Sequence, residues 1–203
     1  MDQERIWDNL YKNRLIWKME TMSLPNVLKG KKVLELGCGS GKTLKAIIKQ
    51  GPKSLIAIDY SEEAIEGCKK ILKNKVNLIK SDARNLPFQD NSFDSVICFY
   101  ILNNSIKKGR EKIIKEIFRV LNDSGKVLFE DFSLGDFRNN GKKHNEENTI
   151  IKKNNILCHF FNEKEIRGLF KDFSSIKVKT LSSKPITHKP ELKREIISAL
   201  IRK

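Results

Sequence analysis

The stretch Val33-Leu34-Glu35-Leu36-Gly37-Cys38-Gly39-Ser40-Gly41-Lys42-Thr43 decides the fold of this chain. Its first four residues form a short, mostly apolar run that is typical of a buried strand. The glycines at 37, 39 and 41 permit a tight turn with positive φ and let a ligand approach the backbone closely. Helical apolar spacing begins at Thr43, so the stretch predicts a strand, a glycine turn and the start of a helix whose free amides face a ligand.

The composition indicates one globular domain covering residues 1–203. The chain is 39% hydrophobic and 32% charged, and its length fits a single α/β domain with a sizeable core. The sequence has no apolar run long enough to span a membrane, and the charged N-terminus lacks the apolar core of a signal peptide. We therefore expect a cytoplasmic protein without a membrane partner.

The net charge and the cysteine content limit which partners and metal sites can be expected. The net charge of +15 would suit a polyanion such as RNA, but the excess is mostly lysine spread along the chain, which is also typical of a compositional bias. The four cysteines lie far apart without a Cys-x-x-Cys pair. We therefore expect neither a disulfide framework nor a metal site.

Strands alternate with helices along most of the chain. Apolar runs typical of strands follow the first one at 54–59, 76–79, 93–100, 126–132, 174–181 and 191–201. Helical patterns separate several of these runs. The alternation predicts an α/β fold with a Rossmann-like, doubly wound sheet of seven strands, parallel except for an antiparallel C-terminal edge strand.

Two segments stand outside this alternation. Residues 2–22 have a helical pattern that carries both tryptophans, and we predict an N-terminal helical lid over residues 1–25. Residues 133–155 are polar and show no regular pattern, so we expect a long loop there. This loop follows the carboxyl end of the fifth strand, the side on which doubly wound sheets bind ligands.

The glycine turn can be compared with three kinds of nucleotide-binding loop. A phosphate-binding P-loop ending in Gly41-Lys42-Thr43 would need glycine at position 36, where Leu36 stands. A dinucleotide fingerprint would need its third glycine at position 42, where Lys42 stands. Asp59 lies about 20 residues beyond the turn and suits a ribose diol in any adenosine cofactor.

The third kind of loop is one that binds a different adenosine cofactor, and the case for it is a resemblance to a known family. The run 33–41 resembles the first motif of class I S-adenosylmethionine (SAM)-dependent methyltransferases, and three later blocks at 81–83, 86–94 and 116–127 are similar to that superfamily at its own spacing, in particular to its methyltransferase-11-like group. The resemblance covers residues 31–132. The segment 156–166 resembles the tail of tellurite-resistance and thiopurine methyltransferases and, more weakly, that of tRNA wobble-uridine methyltransferases.

The resemblance implies SAM as the cofactor and S-adenosylhomocysteine (SAH) as its product. The implied cofactor-binding residues are Glu35, Gly37, Cys38, Gly39, Gly41, Asp59, Tyr60, Ser61, Asp82, Ala83 and Phe99. Among these, an acid at Glu35 suits the cationic part of SAM, Asp59 suits the ribose, and Asp82 corresponds to the position that holds the adenine amino group.

Candidates for contacts with the methyl acceptor lie at strand ends, on the N-terminal helix and in the long loop. They are Trp7, Tyr11, Tyr100, Asn104, Glu130, His144 and His159. The sequence singles out no catalytic residue. A sulfonium already activates its methyl group, so orientation can supply much of the rate, and a base is needed only if the acceptor must lose a proton.

We expect a small-molecule acceptor. RNA, and tRNA in particular, is the alternative that the basic charge favours, whereas the lack of an appended RNA-binding module in the sequence favours the small molecule. Two other hypotheses are a SAM-binding regulator without catalysis and a non-enzymatic RNA-binding protein.

Overall fold

A computed structural model of the chain describes residues 3–13, 24–183 and 192–203. The predicted N-terminal helix is present as α1 (Gln3–Lys12), and its continuation over 14–22 lies outside the described residues. Within the described ranges, no helix is both long and apolar enough to cross a membrane.

The remaining elements follow the predicted alternation. The other helices are α2 (Lys42–Lys49), α3 (Glu62–Leu72), α4 (Lys107–Val120) and α5 (Glu163–Leu169). The strands are β1 (Lys32–Leu36), β2 (Ser54–Asp59), β3 (Asn77–Lys80), β4 (Phe93–Phe99), β5 (Leu121–Phe132), β6 (Lys142–Lys143), β7 (Thr149–Ile151), β8 (Leu157–His159), β9 (Ser175–Ser183) and β10 (Arg194–Arg202).

Seven of these strands form the main sheet, in the order β3-β2-β1-β4-β5-β10-β9. The first five are parallel, and Leu34 of β1 pairs with Ile56 on one side and Val96 on the other. Strand β10 is antiparallel to both of its neighbours. The predicted seven-stranded sheet with antiparallel C-terminal pairing is confirmed; within that pair, β9 is outermost and β10 lies one position inside.

Helices cover both faces of the sheet, which explains why the central strands are apolar on both sides. On one face, α4 and α5 contribute Ile113, Ile117 and Ile166 to a core cluster. On the other face, α2 and α3 contribute Leu44 and Ile65 to a second cluster. The strand order reverses between β1 and β4, and such a switch point leaves a crevice at the carboxyl ends of the strands.

The expectation of a long loop over 133–155 is wrong. The segment carries β6 and β7, which pair with β8 in a small antiparallel sheet. Its strands are only two or three residues long, too short for an alternating pattern to stand out among asparagines and lysines. The small sheet is anchored because Ile150, Cys158 and Phe160 pack on Phe132 at the end of β5.

Candidate cofactor and acceptor cleft

A cleft of about 1200 Å³ opens at the carboxyl ends of the central strands. The glycine turn, the ends of β2, β3 and β4, helix α1 and the small sheet all contribute to its lining. Pockets for one small ligand usually measure roughly 300–1000 Å³. The cleft therefore has room for two ligands side by side.

The glycine turn leaves no space for side chains at two positions. Gly39 has φ +49°, and a Cβ atom there would lie 2.7 Å from the Tyr11 hydroxyl oxygen. Gly37 has φ +67°, and a Cβ atom there would lie 1.9 Å from Cδ1 of Ile101. The positive φ angles expected from the sequence are confirmed, and the turn forms a cradle that only bare backbone can line.

Asp59 connects the end of β2 to this turn. Its Oδ2 accepts a hydrogen bond from the amide of Gly39 at 2.9 Å, and its Oδ1 accepts one from the amide of Ser61 at 3.0 Å. The side chain is only 6% exposed, and burial raises the pKa of its carboxyl group. A carboxylate offers about four acceptor positions, so Asp59 keeps capacity for hydroxyl groups in the cleft that it lines.

Glu35 brings a second buried acid to the cleft. It lies on β1 and is 3% exposed, and burial raises the pKa of its carboxyl well above the ordinary value. Thr43 hydrogen-bonds this carboxyl, whereas its Oε2 atom is buried without a hydrogen-bond partner among the described residues. An unpartnered buried oxygen is costly, and a cationic ligand in the cleft would compensate it. The Glu35 carboxyl oxygen therefore fits as an acceptor for the ammonium group, or as a partner for the sulfonium charge, of SAM.

Asp82, Ala83, Tyr60 and Phe99 also line the cleft, as expected. The carboxylate of Asp82 is held by Arg84, whose Nε donates to both of its oxygens at 2.9 Å. Burial raises the pKa of the Tyr60 hydroxyl. These four residues and Asp59 form one continuous wall at the ends of β2, β3 and β4.

Three of the expected cofactor residues, Cys38, Gly41 and Ser61, do not line the cleft. The Cys38 thiol is buried against Cys68. Gly41 caps the start of α2. The Ser61 hydroxyl caps α3 by accepting from the amide of Ala64 and donates to Asp8 on α1. These three residues stabilise the glycine turn and the start of α3, and neighbouring residues line the cleft.

Four of the expected acceptor residues line the cleft, namely Trp7, Tyr11, Tyr100 and Asn104. The rings of Trp7 and Tyr11 stack on α1 with centroids 6.0 Å apart. Tyr100 follows β4 with φ +57°, and its hydroxyl accepts a hydrogen bond from Nη2 of Arg194 at 3.3 Å. Burial raises the pKa of Tyr100 to about 12, so its hydroxyl is neutral at physiological pH.

The other three acceptor candidates lie outside the cleft lining. Glu130 is buried in β5, and burial raises its pKa to about 7. Nδ1 of His144 accepts a hydrogen bond from the amide of Glu146. His159 is 2% exposed, with Nδ1 2.7 Å from Oγ1 of Thr149 and Nε2 2.9 Å from Oε1 of Glu165. His159 thus fastens the small sheet to α5.

Sequence reasoning missed the basic wall of the cleft. The missed cations are Lys42, Arg84, Arg138, Lys142, Lys152, Lys153 and Arg194. The Asn- and Lys-rich composition of 138–153 was a signal for part of this wall. Arg194 carried no local signal, because its place depends on the long-range pairing of β10 with β5.

Comparison with known proteins identifies the family. A family model described as a methyltransferase domain matches residues 28–174. The chain belongs to this family, within the class I SAM-dependent methyltransferases, and SAM is the cofactor of that class. In the parts of the chain that the structure describes, no group of acidic, histidine or cysteine side chains could hold a metal ion.

Relatives at the sequence level act on different acceptors. The chain is 35% identical over 125 residues to the ubiquinone/menaquinone biosynthesis C-methyltransferase UbiE of Pasteurella multocida, covering 58% of this chain and 46% of that protein. It is 26% identical over 156 residues to the tRNA N(3)-methylcytidine methyltransferase Mettl2 of Drosophila melanogaster, covering 70% and 48%. The chain spans about half the length of the curated relatives it matches.

Solved structures share the fold. The 1,6-didemethyltoxoflavin-N1-methyltransferase of Burkholderia thailandensis, solved with bound 1,6-didemethyltoxoflavin and SAH, superposes with a TM-score of 0.75 at 16% identity, covering 99% of this chain and 87% of that one. A SAM-dependent methyltransferase of Methanosarcina mazei gives a TM-score of 0.71 at 24% identity, covering 91% and 99%.

Proposed function

We propose that the protein transfers the methyl group of SAM to a small-molecule acceptor bound in the same cleft. The observation that carries this proposal is the continuity of the cleft, which runs from the glycine turn and Asp59 to Tyr100, Asn104 and the small sheet. When bound, SAM supplies a methyl group on a sulfonium: the acceptor's lone pair forms the new bond to carbon while the S–CH₃ pair stays on sulfur, giving SAH.

In this proposal, the residues of the chain bind the cofactor and orient it. Asp59 accepts from ribose hydroxyls, and Glu35 faces the positive charge of the cofactor. Helix α1, the described part of the predicted lid over residues 1–25, places Trp7 and Tyr11 over the cleft, where they exclude water. Water exclusion strengthens the electrostatic contacts inside the site.

The shape of the cleft favours a small acceptor over RNA. The acceptor-side residues lie inside a concavity between α1 and the small sheet, whereas an RNA strand is held by cations spread along an open surface. RNA is the second candidate, because the chain carries +15 net charge and one of its relatives is named a tRNA methyltransferase.

The test is methyl transfer from radiolabelled SAM into a cell extract separated into small-molecule and RNA pools. We expect label in the small-molecule pool, loss of that label in Asp59→Ala and its retention in Asp123→Asn, since the Asp123 side chain is 95% exposed on the surface. Label confined to RNA would establish the second candidate. A folded protein that binds SAH and labels neither pool would overturn the proposed catalysis.

A further inference from the structure

We propose that the methyl acceptor is a small anion whose carboxylate or phosphate group binds Arg194, Lys152 and Lys142 at the far end of the cleft. This inference rests on the proposed methyl transfer and names its substrate class. It concerns the half of the cleft built by β10 and by the small sheet with its adjoining turns.

All three acids of the cleft lie at its cofactor end, where Lys42 and Arg84 also lie. Its acids are Glu35, Asp59 and Asp82, which lie on or directly after β1, β2 and β3. The far wall contributes a set of cations and no acid: Arg138, Lys142, Lys152, Lys153 and Arg194. A cationic cofactor suits the first end, and an anionic ligand suits the second.

Most of these cations lack a carboxylate partner. Arg138 is neutralised by Asp136, with Nη1 and Oδ1 3.0 Å apart. Within the described residues, the other four form no ion pair. The Nζ of Lys152 donates to the backbone carbonyl of Arg138, so this contact uses a neutral acceptor.

Arg194 is the best placed of these side chains to hold a ligand. Its Nη2 donates to the Tyr100 hydroxyl at 3.3 Å, and its Nε is buried without a hydrogen-bond partner among the described residues. Glu130 interacts with Arg194 only beyond ion-pair distance, and burial raises the pKa of Glu130 to about 7, so it is partly neutral at physiological pH. Guanidinium groups bind carboxylate and phosphate through paired charge-assisted hydrogen bonds.

The cations also crowd one another. Burial lowers the pKa of Lys42, and the nearby Arg194 lowers it further. Burial likewise lowers the pKa of Lys152, and Arg138 lowers it further, whereas Cys158 and Asp136 act in the opposite direction. A bound anion would relieve this repulsion, and its position beside Tyr100 would place the rest of the acceptor against the cofactor half of the cleft.

The decisive experiment is isothermal titration of SAH-saturated protein with pyrophosphate and with citrate, as phosphate and carboxylate probes. We expect binding of at least one probe, weakened about tenfold by Arg194→Gln and by Lys142→Gln, since each removes one charge-assisted contact. The matched control is Lys143→Gln, which makes the same charge change on the next residue of β6, outside the cleft lining. It should leave probe affinity unchanged, and SAH affinity should be unchanged in all three variants.

The outcomes separate this inference from the proposed function. Protein that binds SAH but neither probe, or that loses probe affinity equally in Lys143→Gln, would overturn the anionic subsite and leave methyl transfer standing. Protein that does not bind SAH would overturn both. In the labelled extract, we expect the methylated small molecule to be retained on an anion exchanger, and an unretained neutral product would contradict the inference.

Discussion

The backbone amide of Gly39 donates a 2.9 Å hydrogen bond to Oδ2 of Asp59, which ties the glycine turn to the end of β2. The other oxygen of the same carboxylate receives the amide of Ser61 at the start of α3. One side chain therefore fixes the turn after β1, the start of α3 and part of the cleft wall. The turn is held in a binding-competent shape by contacts within the protein.

Gly39→Ala should weaken SAH binding at least tenfold. The new Cβ would lie 2.7 Å from the Tyr11 hydroxyl at a φ of +49°, so either the turn or α1 must shift. The control is Gly67→Ala in α3, where a Cβ would meet nothing within 4 Å. That change should stabilise the protein by about 0.5–1 kcal/mol and leave affinity unchanged. Titration calorimetry and urea unfolding test the pair, and wild-type affinity in Gly39→Ala would argue against a ligand at this turn.

His159→Ala should act on stability. The change removes the contacts from His159 to Thr149 and Glu165 in a buried cluster where Arg110 also pairs with Glu146 and Glu165. We expect a loss of about 2–4 kcal/mol in the free energy of unfolding. His144→Ala, the matched control, should cost about 1 kcal/mol or less, because His144 has a single backbone contact in a more exposed place.

Denaturant unfolding and methyl-transfer assays distinguish a structural role of His159 from a chemical one. A positioning role for the small sheet predicts reduced stability with an unchanged pH–rate profile. If His159→Ala kept wild-type stability and lost methyl transfer, the histidine would have a chemical role instead.

Glu130→Gln should flatten the pH dependence of stability. Burial raises the Glu130 pKa from 4.5 to about 7 in the folded protein, so between these values the folded state binds more protons than the unfolded state. Its contribution therefore destabilises the fold as pH rises through this window, by at most about 3 kcal/mol. Urea unfolding at pH 5 and pH 8 measures the change in the free energy of unfolding between these two pH values. The loss of stability on going from pH 5 to pH 8 should be smaller in Glu130→Gln than in wild type. Equal differences would show that Glu130 does not titrate in this window.

Local signals were enough to predict the glycine turn and the strand-end acids that line the cleft. Gly37 and Gly39 have the positive φ angles expected of a tight turn, and Asp59 and Asp82 lie at strand ends on the cleft, because a parallel sheet brings successive strand ends to one edge. Ser61 was expected among the cofactor residues, but its hydroxyl caps α3 and contacts Asp8.

The far wall of the cleft could not be predicted in the same way. It is formed by strands two or three residues long and by Arg194, whose position is set by pairing between segments more than 60 residues apart. His159 is a predicted acceptor contact because it follows the polar segment 133–155, but its cross-strand partner Thr149 and its helix partner Glu165 are visible only in three dimensions. Short-range patterns do not encode such contacts.

Titration calorimetry of SAH against the wild type, Asp59→Ala and Asp123→Asn tests the central claim most directly. We predict wild-type binding with a dissociation constant on the order of micromolar or tighter, at least tenfold weaker binding in Asp59→Ala, and unchanged binding in Asp123→Asn. Urea unfolding of each variant confirms that it is folded. An absence of SAH binding by the wild type, or equal affinity in folded Asp59→Ala, would contradict the assignment of this cleft as the SAM site.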